Sequence, residues 1–203
     1  MTVQTHQYPE RFVKLGSHEI YAEYKNGALY ISPKEQLKSY PQKLTDRLLQ
    51  YAETHPNRIF AAKRGPSGQW IELSYAETVD RAWRIAQSLK QYSHLSTERP
   101  IVILSGNDLE HLTLSMGAML AGIPFSAISP AYSLISKDFG KLKHVFDTLT
   151  PGLVFANDGD AFAAAINHCR NADDIAVVTT SGQVGGEPCI AFSTLLESDI
   201  TDI

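Results

Sequence analysis

Four short apolar runs, each separated from the next by an amphipathic helical pattern, constrain the fold of this chain more than any other feature. The runs are IVILS (101–105), FSAIS (125–129), LVFA (153–156) and IAVVT (175–179). Continuous apolar residues are typical of strands that are buried on both faces. Strands that alternate with helices build a mostly parallel sheet covered on both sides. We therefore predict an α/β fold, with helices on both faces of a mostly parallel sheet.

The segments between these runs have the residue spacing of helices. Asn107 and Glu110 are predicted to start the helix after the first run, and Gly122 to end it. Ser136 is predicted to start a helix after the second run. A further helix is predicted over roughly 160–169.

The N-terminal part of the chain has a different pattern. Aromatic and β-branched residues flank Asn26 and Gly27, a pair that favours a tight hairpin because both residues tolerate positive φ. We predict an antiparallel β extension over residues 1–36 and an α/β subdomain over residues 37–203.

A second hairpin and a well-marked helix start are predicted at the beginning of the α/β part. The hairpin turns at GPSG (65–68). Ser74 and Glu77 have the spacing of a capping box, in which the hydroxyl and the carboxylate each bind a free N–H group at the start of a helix.

The amino-acid composition of the chain disfavours several classes of function. The chain has 203 residues, of which 43% are hydrophobic and 20% are charged, and its net charge of −4 gives no basic surface for nucleic acid or for an anionic membrane. Its two cysteines form no disulfide framework, and no stretch is apolar over a membrane-spanning length. The seven histidines are dispersed, so no metal site is predicted. We expect a cytoplasmic protein.

The turn after the first apolar run offers candidate ligand-binding residues. Ser105 and Asn107 lie where a strand passes into a helix, at the carboxyl edge of the predicted sheet, where α/β folds bind ligands. In the alternative interpretation, Asn107 and Glu110 only cap the helix. Ser105 and Asn107 are candidate pocket-lining residues.

The loop after the second run is the other candidate. Ser129, Tyr132 and Ser133 place hydroxyl groups and an aromatic ring at the same predicted edge, so they could line a pocket. Alternatively, this is a turn started by Pro130, with the tyrosine packed on the surface. Both interpretations stay open.

Several common catalytic patterns are absent. The sequence has no GxxxxGK[ST], GxGxxG, HExxH or GxSxG motif. Asp173 and Asp174 are interpreted as solvated loop charges, and Cys169 as a buried apolar residue rather than a nucleophile. No catalytic residue is assigned.

The glycine-rich stretch TTSGQVGGEP (179–188) could cradle a phosphate, because small residues let backbone N–H groups approach an anion. Two features disfavour this interpretation. Glu187 is a carboxylate in the loop itself, and no lysine follows Lys143 to offset its charge. We therefore interpret the stretch as a polar linker.

Four stretches of the chain resemble a known family. They are the opening hairpin, YPQKLTDRLLQYAETHPNRIFAAKR (40–64), WIELSYAETVDRAWRIAQSL (70–89) and the segment from ERPIVILSGN to LTPGLVFA (98–156). In order and spacing they are similar to the N-terminal region of the AMP-forming acyl- and aryl-acid CoA ligases, the adenylate-forming superfamily. SPAYSL, DFGKL and LTPGLVFA are most similar to the feruloyl-CoA synthetases.

The resemblance implies a reaction. Full-length members join a carboxylic acid to ATP with Mg²⁺, giving an acyl-adenylate and pyrophosphate, and CoA then displaces AMP. Their phosphate clamp is a Ser/Thr/Gly-rich loop that ends in Pro-Lys, and the resemblance implies that this chain ends before that loop. We therefore expect no cofactor for this piece and no activity of its own.

The sequence leaves two alternative functions open. The chain could be a non-catalytic binding or assembly module derived from the same fold, which would associate as a homodimer through exposed apolar surface. A weaker alternative is an unrelated nucleotide-binding α/β domain, which the absent glycine motifs disfavour.

Overall fold

The first of two compact units, Met1–Pro41, contains a two-stranded hairpin. In this computed structural model, which describes residues 16, 18–170, 174–186 and 188–201, strands β1 (Ile20–Lys25) and β2 (Ala28–Pro33) pair antiparallel. The turn is formed by Asn26 and Gly27 with φ angles of 52° and 77°. The predicted hairpin is thus confirmed; residues 1–15 of the predicted extension lie outside the described residues.

The second unit, Gln42–Ile203, begins with a helix, a hairpin and a second helix. These are α1 (Thr45–Thr54), the antiparallel strands β3 (Ile59–Arg64) and β4 (Trp70–Ser74), and α2 (Tyr75–Leu89). The capping box at the start of α2 is confirmed, because the Glu77 N–H donates to Ser74 Oγ at 3.2 Å and the Ser74 N–H donates to Glu77 Oε2 at 2.8 Å.

A five-stranded parallel sheet forms the centre of this unit. Its strands are β5 (Ile101–Leu104), β6 (Phe125–Ile128), β7 (Leu153–Asp158), β8 (Ala176–Ser181) and β9 (Ile190–Ala191). They lie in the order β6-β5-β7-β8-β9, and every neighbouring pair is parallel. This confirms the α/β class and the four predicted strands. β9 was not predicted, because two residues are too few to give a pattern.

Helices α3 (Leu109–Ala121), α4 (Ala131–Leu134), α5 (Gly140–Leu149) and α6 (Gly159–Cys169) connect the strands, and a 3₁₀ helix (Phe192–Leu196) follows β9. Side chains of β5 point alternately to two buried cores. Val102 and Leu104 belong to the core that includes α5 and α6 residues, whereas Ile101 and Ile103 belong to the core that includes α2 and α3 residues. Helices therefore cover both faces of the sheet, as predicted.

Two predicted helix starts are wrong by a few residues. Helix α3 is capped by Asp108 and not by Asn107, since Asp108 Oδ1 accepts the His111 N–H at 2.6 Å. Ser136 does not open α5, which begins at Gly140 after Phe139 adopts a φ of 51°. Ser136 nevertheless contributes to this turn, because its Oγ accepts the Phe139 N–H.

One predicted solvated charge is an ion pair. Asp174 accepts two hydrogen bonds from Arg99, at 2.6 Å and 3.0 Å. The bond from the Arg99 guanidinium holds the pKa of the Asp174 carboxyl below its usual range. Asp173, the other half of that prediction, lies outside the described residues.

Candidate functional site

The turn after β5 is held together by its own side chains. Ser105 is buried, and its Oγ lies 2.7 Å from both Gly106 O and Asp108 Oδ2. The other Asp108 carboxylate oxygen caps α3. Ser105, a predicted pocket-lining residue, is therefore committed to shaping the turn. Asn107 remains exposed beside it, with no part in the cap.

The loop after β6 folds into the short helix α4. Ser129 is exposed, and its carbonyl accepts the Tyr132 N–H at 3.0 Å. Tyr132 is half-buried against the core beside α6, and Lys141 Nζ lies 5.3 Å from the centre of its ring. Its ring is therefore part of the packing, which agrees with the turn interpretation more than with an open stacking platform.

Two buried polar atoms near the carboxyl edge of the sheet lack a hydrogen-bond partner. They are Ser133 Oγ, in a residue that is only 6% exposed, and Asn157 Oδ1, near the end of β7. A buried polar group without a partner costs about 1–3 kcal/mol. Such atoms are expected to find a partner in a bound water, a ligand or another protein segment.

Asn157 was missed by sequence reasoning. A signal for it was available, because a polar residue comes directly after the buried run LVFA (153–156), as Ser105 comes after IVIL (101–104). Polar residues at that point of a parallel strand lie at the edge where α/β folds bind ligands.

The glycine-rich stretch after β8 packs on the start of α6. The Gln183 N–H donates to Asp160 Oδ1 at 3.1 Å, and the Val184 N–H donates to Cys189 Sγ at 3.2 Å. These two donors are therefore occupied by the chain itself. Glu187, whose carboxylate carried part of the prediction, lies outside the described residues.

Carboxylates also occupy the helix start beside this stretch. Asp158 Oδ1 caps α6 by accepting the Ala161 N–H at 3.1 Å, and Asp160 lies in the first turn. A Cβ added at Gly182 would lie 2.7 Å from Asp160 N, so the stretch and the helix are in close contact. Two negative charges at this position disfavour a phosphate.

An apolar groove lies between β3 and α3. Its volume is about 430 Å³. Its lining is mostly apolar and consists of Ala61, Ala62, Lys63, Asn107, Asp108, Leu109, His111, Leu112, Ser115, Met116, Met119 and Phe125. Of the five sequence-predicted residues, Asn107 lines this groove; Ser105 lies beneath the adjoining turn, and Ser129, Tyr132 and Ser133 belong to the loop after β6.

The polar end of the groove lies at the start of α3. Lys63 Nζ donates to Glu110 Oε2 at 2.9 Å, which ties the β3–β4 hairpin to α3. His111 Nδ1 lies 3.1 Å from the Gly106 carbonyl oxygen. Since a carbonyl can only accept, this contact uses a hydrogen on Nδ1 and leaves Nε2 for another partner.

The pKa values of two other titratable groups are shifted by their surroundings. Burial raises the pKa of the Cys169 thiol to about 11, as expected for a packed residue rather than a nucleophile. The pKa of Asp138 is lowered because its carboxylate accepts a hydrogen bond from the Gly140 N–H and another from Ser136 Oγ.

In the part of the chain that the structure describes, no three His, Cys, Asp or Glu residues are grouped so as to hold a metal ion. Among the same residues, no helix combines the length and the apolar character needed to cross a bilayer.

Comparisons with known proteins agree with this architecture. A family model described as AMP-binding enzyme matches residues 48–199. The fatty acyl-adenylate ligase from L. pneumophila, solved with acyl adenylate and pyrophosphate, is 18% identical with a TM-score of 0.56, and the match covers 80% of this chain and 26% of that one. The search of curated proteins found no match.

Two further solved structures have similar scores. The acyl-CoA synthetase from Brucella canis is 16% identical with a TM-score of 0.58, covering 76% of this chain and 28% of that one. The benzoate CoA ligase from Burkholderia xenovorans LB400 is 17% identical with a TM-score of 0.56, with the same two coverages, 76% and 28%. The chain thus spans 26–28% of the length of these three structures.

Proposed function

Because the chain belongs to the AMP-binding enzyme family, we propose that it is the N-terminal part of an AMP-forming acid–CoA ligase. Such a ligase converts a carboxylic acid, ATP and CoA into acyl-CoA, AMP and pyrophosphate, with Mg²⁺. The family match over residues 48–199 is the observation that carries the proposal. The fold neighbours named as an acyl-CoA synthetase and a benzoate CoA ligase support it.

The proposed acid is aromatic and of the feruloyl type. This rests on the resemblance of SPAYSL, DFGKL and LTPGLVFA to the feruloyl-CoA synthetases. The carboxyl edge of the sheet is the proposed ligand side, with Ser105 shaping the turn and Asn107, Ser129, Tyr132 and Ser133 near the ligand.

The isolated chain is proposed to form no acyl-adenylate. Transfer of the acid to the α-phosphorus needs donors and cations around the phosphates. The N–H groups of Gln183 and Val184 are already bonded, and carboxylates cap the neighbouring helix. No lysine follows Lys143 in the sequence. These features leave this stretch without the charge that a phosphate clamp requires.

Isotope exchange between ATP and pyrophosphate tests the inactivity. The 203-residue chain is assayed with Mg²⁺ and ferulate, and vanillate serves as the matched acid without the propenoate arm. No exchange above background is expected with either acid. Acid-dependent exchange by the isolated chain would overturn the proposed inactivity while supporting the ligase assignment.

Ligand binding at the edge is tested with Ser133→Ala. Removing a hydroxyl that has no partner is expected to leave stability unchanged or raised, so any loss of binding reports on the ligand. Saturation-transfer NMR with CoA, AMP and ferulate as separate probes is the measurement. Ser88→Ala, which removes a buried serine from α2, is the matched control.

Weaker binding of one probe in Ser133→Ala alone is the expected result. Equal binding by wild type, Ser133→Ala and Ser88→Ala would remove Ser133 from the site. If none of the three probes bound the wild-type chain, the proposed ligand side itself would be contradicted.

A further inference from the structure

Beyond its first turn, helix α3 carries no charged side chain, although neighbouring elements cover only part of it. Its inner side contributes Leu114 and Ala118 to the core, and Gly117 lies directly against Ile85 of α2. Its outer side carries half-buried side chains instead of charges, namely Leu112, Met116 and Met119. An apolar helix side is normally buried. The outer side is therefore suited to contact with a bound molecule or with another protein segment.

The groove over that outer side has the size and layout of a small-molecule site. Its volume of about 430 Å³ falls in the range of ligand pockets, which are mostly apolar with a few polar groups. Leu112, Met116, Met119 and Phe125 form the apolar body, and methionine side chains adapt to different ligand shapes. From His111 to Met119 the helix rises about 12 Å, which sets the length of the site.

The ionic groups at the polar end disfavour an anion. Lys63 is already paired with Glu110 at 2.9 Å, so its charge is compensated. The Asp108 carboxylate lines the same end and adds a negative charge. A ligand carboxylate would therefore meet net repulsion. A hydroxyl fits better, because the contact of His111 Nδ1 with the Gly106 carbonyl leaves Nε2 to pair with a group that can both donate and accept a hydrogen bond.

We propose that the groove between β3 and α3 binds an uncharged, elongated apolar molecule that carries one hydroxyl group, such as an alkylphenol. The ring or alkyl body lies over Met116 and Met119, and the hydroxyl hydrogen is donated to His111 Nε2. This site shares only Asn107 with the proposed ligand side at the carboxyl edge, and its ligand class differs from the carboxylate that the proposed reaction uses.

Methionine methyl NMR tests the proposal directly. The chain has three methionines, and two of them line the groove. The 203-residue chain labelled at the methionine methyl groups is titrated with 4-hexylphenol, and 4-hexylbenzoate is the matched anion. Saturable shifts of the Met116 and Met119 signals are expected with the phenol, at an affinity about tenfold or more above that of the benzoate.

A blocked groove provides the second arm of the test. Met116→Lys places a charge over the apolar body and is expected to weaken 4-hexylphenol binding about tenfold or more, read from the Met119 signal. Ala164→Lys adds the same side chain on the exposed side of α6 and is expected to leave binding unchanged. Met119→Gln, which nearly keeps the side-chain length, is the milder variant if Met116→Lys unfolds.

Several outcomes would overturn the proposal. Shifts that do not saturate, or tighter binding of 4-hexylbenzoate than of 4-hexylphenol, would contradict the ligand class. Unchanged affinity in both Met116→Lys and Met119→Gln would contradict the location. Methionine shifts that depend on protein concentration without any probe would show that a second copy of the chain fills the groove instead.

None of these outcomes bears on the carboxyl edge. The Ser133→Ala experiment and the exchange assay succeed or fail independently, because Ser133 does not line the groove and 4-hexylphenol takes no part in them. Failure of the groove proposal is thus distinguishable from failure of the proposed function.

Discussion

Helices α3 and α6 begin in the same way, but their outer sides have opposite character. Each follows an interior strand of the sheet, and each is capped by an aspartate that accepts the third N–H group. The inner side of each is packed into a core. The outer side of α6 is polar at Asp160, Asn167 and His168, whereas the outer side of α3 is apolar at Met116 and Met119.

The inner sides of both helices stabilise the fold, whereas the apolar outer side of α3 is left partly uncovered. Helix α6 has the two-sided pattern of a surface helix, with one apolar stripe and one polar face. Helix α3 carries no charged side chain beyond its first turn, so its sequence favours burial of a side that neighbouring strands and helices cover only in part. Four comparisons between the two helices test this distinction, ordered by the size of the expected effect.

Truncating a core side chain on the inner side of either helix should destabilise the protein by a similar amount. Leu114→Ala in α3 and Ile166→Ala in α6 remove fully buried side chains, and each is expected to lower the free energy of unfolding by about 2–5 kcal/mol because a cavity remains. Urea unfolding followed by circular dichroism measures both. A markedly smaller loss for Leu114→Ala would mean that α3 is less firmly part of the core than α6.

Adding a methyl group at the close contacts of the two helices should cost about 1–3 kcal/mol. A Cβ at Gly117 would lie 2.5 Å from Ile85 Cγ2, and a Cβ at Gly159 would lie 2.8 Å from Gln183 N. We expect both changes to be costly, because Gly159 faces backbone atoms and Gly117 also faces Ile85 Cβ at 2.7 Å, which side-chain rotation cannot move. Thermal unfolding measures both, and a negligible cost at either glycine would contradict the close contact there.

Loss of the caps should cost about 1–2 kcal/mol. Asp108→Ala is expected to be worse than Asp158→Ala, because Ser105 Oγ also loses one of its two acceptors at 2.7 Å. Asn107→Ala, one residue earlier in the chain, is the matched control and should change stability little. If Asn107→Ala proved as costly as Asp108→Ala, the assignment of the cap would be wrong.

Lysine on the outer sides should change stability least, within about 0.5 kcal/mol. Met116→Lys in α3 and Ala164→Lys in α6 both place a charge where the described neighbours leave room for it. The two variants should therefore unfold at nearly the same urea concentration as the wild type. A large loss in Met116→Lys alone would show that its outer side already supports the free chain.

The sequence was informative wherever a pattern is local or periodic. The four apolar runs gave four strands, Asn26 and Gly27 gave the hairpin, and Ser74 with Glu77 gave the capping box. Each depends only on residues close together in the chain, so tertiary contacts had little to override.

The predictions that were wrong or missing also have a physical explanation. Asn107 and Asp108 are adjacent residues that can each cap a helix, and geometry rather than residue type selected the second. Whether Ser133 Oγ has a hydrogen-bond partner depends on the residues that pack around it in three dimensions. Likewise, the groove at α3 depends on the placement of β3, which is far away in the sequence.

The order of the strands in the sheet has a consequence for how the chain acquires its structure during synthesis. β5 is made first, β6 adds to one side of it, and β7, β8 and β9 then add one after another on the other side. No strand must be inserted between two that are already paired. The sheet can therefore grow outward in the order in which the ribosome delivers its strands, at about 5–20 residues per second. Such growth avoids undoing hydrogen bonds that earlier strands have made.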